Sequence, residues 1–380
     1  MEKALKNGTL NSEKLCGFLL FGSVLFSMIL SNMPFGGHYQ AFWQTTIGGF
    51  SILHIINDGL MTLFFLMIGL ELEREIYVGE LKRFRNAMLP FWAAIGGMFV
   101  PALIYFATTD NTLFSNGIGI PIATDIAFAV GLLSLLGNRV PTALKIFLVA
   151  LSVIDDLGAI LIIAFFYAGT VYWLPLMLAL LIFGVLLVLN RTNVLNLTPY
   201  IIGGLLMWVL MLKSGIHPTL TGVLLAFAVP FRAKDVALCP SAKMMSTLSK
   251  PVAFIVLPLF ALANTAITIS STSFSDLFMP SAIGAFLGLV VGKPIGILLF
   301  SLMAVRFGVA LKPKALHWSH IAGVGFISGI GFTMSIFITL LSFDVHKWVE
   351  VTKLAVLIAS VVSGVVGYAW LRLKLKPKAE

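Results

Sequence analysis

Charge is what this chain is short of. Asp, Glu, Lys and Arg make up 11% of its 380 residues, while 59% are hydrophobic. A water-soluble globule carries about 25% charged residues, so a soluble enzyme or binding module is excluded. Cysteine is nearly missing as well. Cys16 and Cys239 fall in different segments and imply neither a disulfide framework nor a metal site. No polar stretch between the apolar runs is long enough for a separate soluble domain, so residues 1–380 read as one transmembrane domain with no cofactor-binding module.

What the chain does have is a series of long apolar runs. A helix needs about 20 such residues to cross a bilayer core, and closed barrels or helices are the only spanning structures. The pattern predicts an all-α polytopic membrane protein of about twelve transmembrane helices, at 15–33, 52–72, 88–107, 114–136, 144–168, 173–189, 198–212, 216–231, 251–266, 281–304, 320–342 and 350–371. The pair near 200–230 is short. The first run follows MEKALKNGTLNSEK and lacks a small-x-small cleavage site, so it reads as a retained helix.

The net charge of +9 follows from topology. With twelve alternating spans, 21 of the 25 basic residues fall on one side, and Lys213, Lys293, Lys347 and Lys353 do not. The loaded side is cytoplasmic by the positive-inside rule, and both termini lie there. A nucleic-acid partner is not implied.

Asp110, Asp235, Asp276, Asp344 and Glu350 sit at predicted ends or loops, where headgroups and water solvate them. Asp125, Asp155, Asp156 and Lys293 have apolar residues on both sides. A charge at the bilayer centre costs about 2.5–3.5 kcal/mol on insertion scales, so these residues face a cavity or a partner. A purely structural ion pair is the plain alternative, but three acids and one base leave charge unpaired. Asp155 and Asp156 point about 100° apart on a helix. One can meet a partner helix while the other looks into a cavity, and Ser152 shares a face with Asp156. Burial and mutual repulsion favour the neutral acid, and Na⁺ or Li⁺ prefers oxygen ligands as other hard cations do. One site that holds either a proton or Na⁺ is the minimum chemistry of an exchanger. Lys293, the one base in the interior of its span, is a partner for one aspartate.

Two spans look broken. Gly117, Gly119 and Pro121 precede Thr124 and Asp125, and Gly323, Gly325, Gly329 and Gly331 interrupt the eleventh span. Proline removes a backbone donor, and each glycine costs a helix interior about 0.8–1 kcal/mol. Close packing through small residues would explain the glycines alone. With Asp125 beside one break, we expect half-helices whose end charges are neutralised by an aspartate at an N-terminus and a lysine at a C-terminus. The broken spans are the fourth and eleventh, seven apart, so they run in opposite directions. Each is the middle of a trio, about 88–168 and 281–371. This predicts inverted repeats with two broken crossing helices, a site at their interface, and the remaining spans as panel or interface.

The segments IPIATDIAFAVG (120–131), LKIFLVALSVIDDLGAI (144–160), INDGLMTLFFLMIGLELEREI (56–76), LKSGIHPTL (212–220) and GKPIGI (292–297) resemble the NhaA family of bacterial Na⁺/H⁺ antiporters over nearly the whole chain. The NhaA family is itself one of the known cases of broken helices and inverted repeats. The resemblance implies electrogenic, pH-regulated exchange of protons for Na⁺ or Li⁺ in the bacterial inner membrane. It implies Asp156 as principal cation ligand and Asp155 as alternating between ion traffic and Lys293. It places Thr124 and Asp125 in the broken-helix assembly that binds the cation or proton, and has Asp58 shape the cytoplasmic entrance or the fold. It links Glu71, Arg74, Glu75 and His217 to pH response, and 33–50 to a homodimer contact. Ordinary surface pairing explains the Glu71 group equally well, and a structural hydrogen bond explains His217. The family's acids at the start of the ninth span are missing from SAKMMSTLSK (241–250). Two other readings remain open. A Na⁺-coupled organic-anion transporter would use Lys293 for the anion. An intramembrane aspartyl protease would place its two aspartates on two helices, one of them in a G-x-G-D pattern.

Overall fold

The computed structural model describes residues 2–79, 82, 84–109, 113–232, 239–269 and 275–375, with backbone alone for 2–14 and 84–86. Asp110, Asp235, Arg83, Lys234, Lys376 and Lys378 lie outside them. The fold is all-helical apart from one two-stranded hairpin, Thr46–Ile47 with Phe50–Ser51.

The helices are α1 (Glu2–Ser31), α2 (Gly36–Gln44), α3 (Ile52–Tyr77), α4 (Phe84–Thr109), α5 (Ile126–Leu135), α6 (Thr142–Phe166), α7 (Trp173–Arg191), α8 (Thr198–Ser214), α9 (Leu220–Ala228), α10 (Pro240–Asn264), α11 (Pro280–Arg306), α12 (Trp318–Ser328), α13 (Phe332–Ser342) and α14 (His346–Lys374). Among the described residues, seven are long and apolar enough to cross a membrane, and nine if each of two bent pairs is one span. The shorter α5, α8 and α9 fill the three remaining expected segments.

Three expectations change. The eighth segment is only nine residues of helix, about 13.5 Å at 1.5 Å per residue. Prolines 218 and 230 bracket it, and each removes a donor and disfavours helix before it. The ninth begins eleven residues early, because Cys239 Sγ accepts from Ala242 N–H at 3.2 Å and Pro240 takes the first helical position. The twelfth begins at His346, which puts Glu350 inside the helix rather than at its boundary. The stretch 33–50 holds helix α2 and most of the hairpin.

The chain divides into two compact units: Met1–Gly36 with Arg83–Ala159 and Thr265–Glu380, and Gly37–Lys82 with Ile160–Asn264. In the first, α11 lies along α4 through a seam of glycines. A Cβ on Gly296 would collide with the Gly96 carbonyl, and one on Gly292 would come within 2.9 Å of Pro101 Cα. Spaced four apart, Gly288, Gly292 and Gly296 share a face. The helix widens to a π-turn over Gly288–Gly292 and resumes at Lys293. Pro294 causes this, since its ring cannot share space with the carbonyl four residues back. Val252–Val256 widens likewise two residues before Pro258.

Candidate functional site

The site of the first unit is built where the fourth and eleventh spans break. A short 3₁₀ turn, Ser115–Gly119, gives way to non-helical backbone over 120–125, and helix resumes at Ile126. The eleventh span breaks between Ser328 and Phe332, and its halves bend by 48°. Unwound backbone inside a membrane must find partners for its polar groups, and here they can be named. Asp125 N–H donates to the Ile330 carbonyl at 2.7 Å. Phe332 N–H donates to Ser360 Oγ at 3.2 Å. Ser335 Oγ donates to the Ile120 carbonyl at 2.6 Å. Thr124 Oγ1 lies 3.0 Å from the Ser328 carbonyl.

Asp125 caps two half-helices at once. Its Oδ1 accepts from Phe128 N–H of α5 at 3.1 Å. Its Oδ2 accepts from Thr333 N–H of α13 at 3.2 Å and from Thr333 Oγ1 at 2.5 Å. Both are helix N-termini with unsatisfied donors and positive dipole ends. A single carboxylate therefore balances both.

Lys293 and Asp155 are fully buried and 3.0 Å apart, Nζ to Oδ2. Lys293 also donates to Thr124 Oγ1. Thr124 has one proton to give, and both Asp155 Oδ2 at 2.9 Å and the Ser328 carbonyl at 3.0 Å lie within reach. The lysine thus reaches the C-terminal end of α12 through Thr124 rather than capping it directly. Asp155 Oδ1 has no partner among the described residues. A Cβ on Gly97 would lie 3.9 Å from it. Asp156 is equally buried, and its charge acts on Lys293. Ser152 Oγ, one turn back, is buried without a partner among the described residues.

The second unit holds the other acids, in two places along α3. Asp58 sits in a π-turn, Ile55–Leu60, with His54 Nε2 3.2 Å from its Oδ2. Trp208 Nε1 donates to Thr62 Oγ1 at 3.0 Å, and Thr62 binds the Asp58 carbonyl at 2.5 Å. Asn57 and Asn264 pair through their amides, Nδ2 of Asn264 to Oδ1 of Asn57 at 2.8 Å. His217 hydrogen-bonds the Tyr167 backbone and feels the Asp58 charge. Glu71 lies thirteen residues from Asp58, about 20 Å along the helix. Asp58 therefore lies apart from Glu71, Arg74 and Glu75, and its neighbours are His54 and His217.

Glu73 was not expected. It is buried on α3, and its Oε2 accepts from Ser241 Oγ at 2.7 Å. An acid from α3 thus meets the start of α10, whose own residues 241–250 include none. Among the described residues, no group of three or more His, Cys, Asp or Glu could hold a metal.

The profile of a family described as Na⁺/H⁺ antiporter 1 matches residues 7–371. Among curated proteins, the Na(+)/H(+) antiporter NhaA of Flavobacterium psychrophilum is 53% identical over 96% of this chain and 95% of its own. That of Shewanella loihica is 45% identical over the whole of both. The solved sodium proton antiporter MjNhaP1 of Methanocaldococcus jannaschii shares the fold, with a TM-score of 0.56, 14% identity and 99% of each chain covered. The chain belongs to the NhaA family of bacterial Na⁺/H⁺ antiporters.

Proposed function

We propose that the chain exports Na⁺, or Li⁺, in exchange for a larger number of protons, and that the two ions compete at Asp155 and Asp156. The observation that carries this is a fully buried carboxylate with one oxygen on Lys293 and the other unpartnered among the described residues, beside a second buried carboxylate. Na⁺ is cargo here. It takes oxygen ligands, with Asp156 as principal ligand and Asp155 joining when Lys293 lets go. Protonation of the aspartates releases the ion. Thr124 passes its hydrogen bond between Asp155 and the Ser328 carbonyl as the pair opens, and Asp125 holds the half-helix ends together throughout.

Access alternates as a core, about 88–168 and 281–371, rocks against a panel made of the remaining spans. More charge enters than leaves, so the membrane potential drives the cycle at about 2.3 kcal/mol per charge per 100 mV. The basic side faces the cytoplasm of the bacterial inner membrane, with both termini there. Glu71, Arg74, Glu75 and His217 tune the response to pH. Asp58, with His54 beside it, shapes the cytoplasmic entrance or the fold. The stretch 33–50 meets a second copy. Membership in a family of antiporters sets the protease reading aside. Proton flux recorded with Na⁺ replaced by choline separates exchange from organic-anion transport.

Asp156→Asn in everted membrane vesicles tests the assignment. Na⁺-induced proton movement should vanish while the protein stays in the membrane at its normal level. Normal exchange by that variant would refute it.

A further inference from the structure

Helix α6 carries a third polar side chain beside its two aspartates. Ser152 stands three residues before Asp155 and four before Asp156, within one unbroken helix. All three are buried. Residues at those spacings are neighbours on the helix surface, with Cβ atoms about 5–6 Å apart. Each Cα–Cβ bond also tilts toward the helix N-terminus. Both carboxylates therefore lean back over the turn that holds Ser152.

The Ser152 hydroxyl is not taken up by the backbone. A serine or threonine inside a helix can donate to the carbonyl four residues back. Buried Ser31, Thr109, Thr339 and Ser342 all do so, at 2.7–2.8 Å. Ser152 makes no such bond to Leu148, and its Oγ has no partner among the described residues. A buried polar oxygen without a protein partner is destabilising, and native proteins keep such oxygens where an ion, a water or a chemical task uses them. Among the described residues, Ser152 is the one buried hydroxyl of this kind with a carboxylate within a turn of it on the same helix. Asp155 Oδ1, on that neighbouring carboxylate, is likewise without a partner among the described residues.

The spacing suits a cation of the size of Na⁺. Its radius is close to that of Ca²⁺, whose oxygens lie about 2.3–2.6 Å away, so two oxygens on one ion can be about 5 Å apart. Side chains rooted 5–6 Å apart, with the carboxylates leaning toward the hydroxyl, meet that condition.

We propose that Ser152 Oγ is a ligand of the transported Na⁺, forming with Asp155 Oδ1 and the Asp156 carboxylate a set of three oxygen donors from one helix, and that it favours Na⁺ over Li⁺. The proposal rests on the competition at Asp155 and Asp156 proposed above and adds a neutral ligand to it. The hydroxyl keeps its proton, so it supplies an oxygen without a charge and takes no part in the proton count. A larger hard cation gathers more oxygens than a smaller one, as Ca²⁺ does beside Mg²⁺. Li⁺ is the smaller ion here and needs the hydroxyl less.

Everted membrane vesicles holding the full chain test it through the apparent KM for Na⁺ and for Li⁺, compared at equal protein in the membrane. Ser152→Ala should raise the Na⁺ KM about 10-fold and the Li⁺ KM by less. The loss should fall on KM more than on the maximal rate, because a saturating ion still finds both aspartates. Ser152→Cys nearly keeps the volume of the side chain, but its sulfur is a soft donor that hard cations avoid. It should behave as Ser152→Ala does. A wild-type Na⁺ KM in Ser152→Ala would overturn the proposal, since the hydroxyl would then not meet the ion. A wild-type Na⁺ KM in Ser152→Cys would overturn it too, since volume alone would then suffice. Equal rises for Na⁺ and Li⁺ would also overturn it. They would mean that the aspartates hold protons more tightly, because the same proton competes with either ion. If Ser152→Cys does not reach the membrane, Ser152→Ala decides by the Na⁺ KM and its difference from Li⁺. Normal exchange by Asp156→Asn refutes the aspartate reading, whereas these results overturn the role of Ser152 while Asp156→Asn still abolishes exchange.

Discussion

The two units handle buried acids in opposite ways. In the first, Asp155 meets a fully buried lysine and Asp125 meets the backbone donors of two half-helices. Threonine hydroxyls join them, but each of these two acids also holds a charge or a helix-end dipole. In the second, Asp58 meets His54, which is 44% exposed, and Glu73 meets a serine hydroxyl. Those partners are a half-exposed imidazole and a neutral hydroxyl. The first arrangement locks a geometry, whereas the second leaves the acid's charge free to follow its surroundings.

The contrast should show most strongly at Lys293. Removing one member of a buried pair strands the other, at about 3–5 kcal/mol. Lys293→Met or Asp155→Asn should therefore lower the thermal midpoint in detergent sharply, and the double variant should recover most of the loss. Failure of the double variant to recover would mean that the pair is not the stabilising unit. Next comes Thr333→Val, which takes the hydroxyl from the Asp125 carboxylate, leaves it two backbone donors and should cost about 1.5–3 kcal/mol. Thr333→Ser keeps the hydroxyl and should behave as wild type in the same melt. In the second unit, Ser241→Ala leaves Glu73 without its hydroxyl and should cost about 1–3 kcal/mol, a loss that Glu73→Leu in the same background reverses. The smallest effect belongs to His54→Ala, about 0–1 kcal/mol for a half-exposed pair. A loss there as large as at Lys293 would erase the distinction between the units.

The sequence carried the spans and the first unit's acids because their signals are extreme. A charge in a 20-residue apolar run is expensive, and Asp125 beside Gly119 and Pro121 marks a break directly. Thr333 was harder to see. Its meaning lies in standing at the start of a half-helix that only the position of Asp125 defines. Glu73 was invisible for a related reason. In ELERE, Glu71 and Glu75 share a face, while Glu73 points about 200° away, which reads as a solvated turn until α10 is known to start beside it. The distance from Asp58 to Glu71 could be counted in the sequence, thirteen residues along one helix, but not that His54 and His217 are the neighbours of Asp58. The short α9 was legible in principle, from two prolines twelve residues apart.

The glycine seam between α4 and α11 bears on how the protein meets its lipid. With backbone against backbone at Gly96 and Gly296, neither helix can tilt without the other. A thinner or thicker bilayer, which single helices accommodate by tilting, therefore meets a double-width rod here. Lys293 rides on that rod, so its depth answers to the lipid only as fast as two helices together can turn.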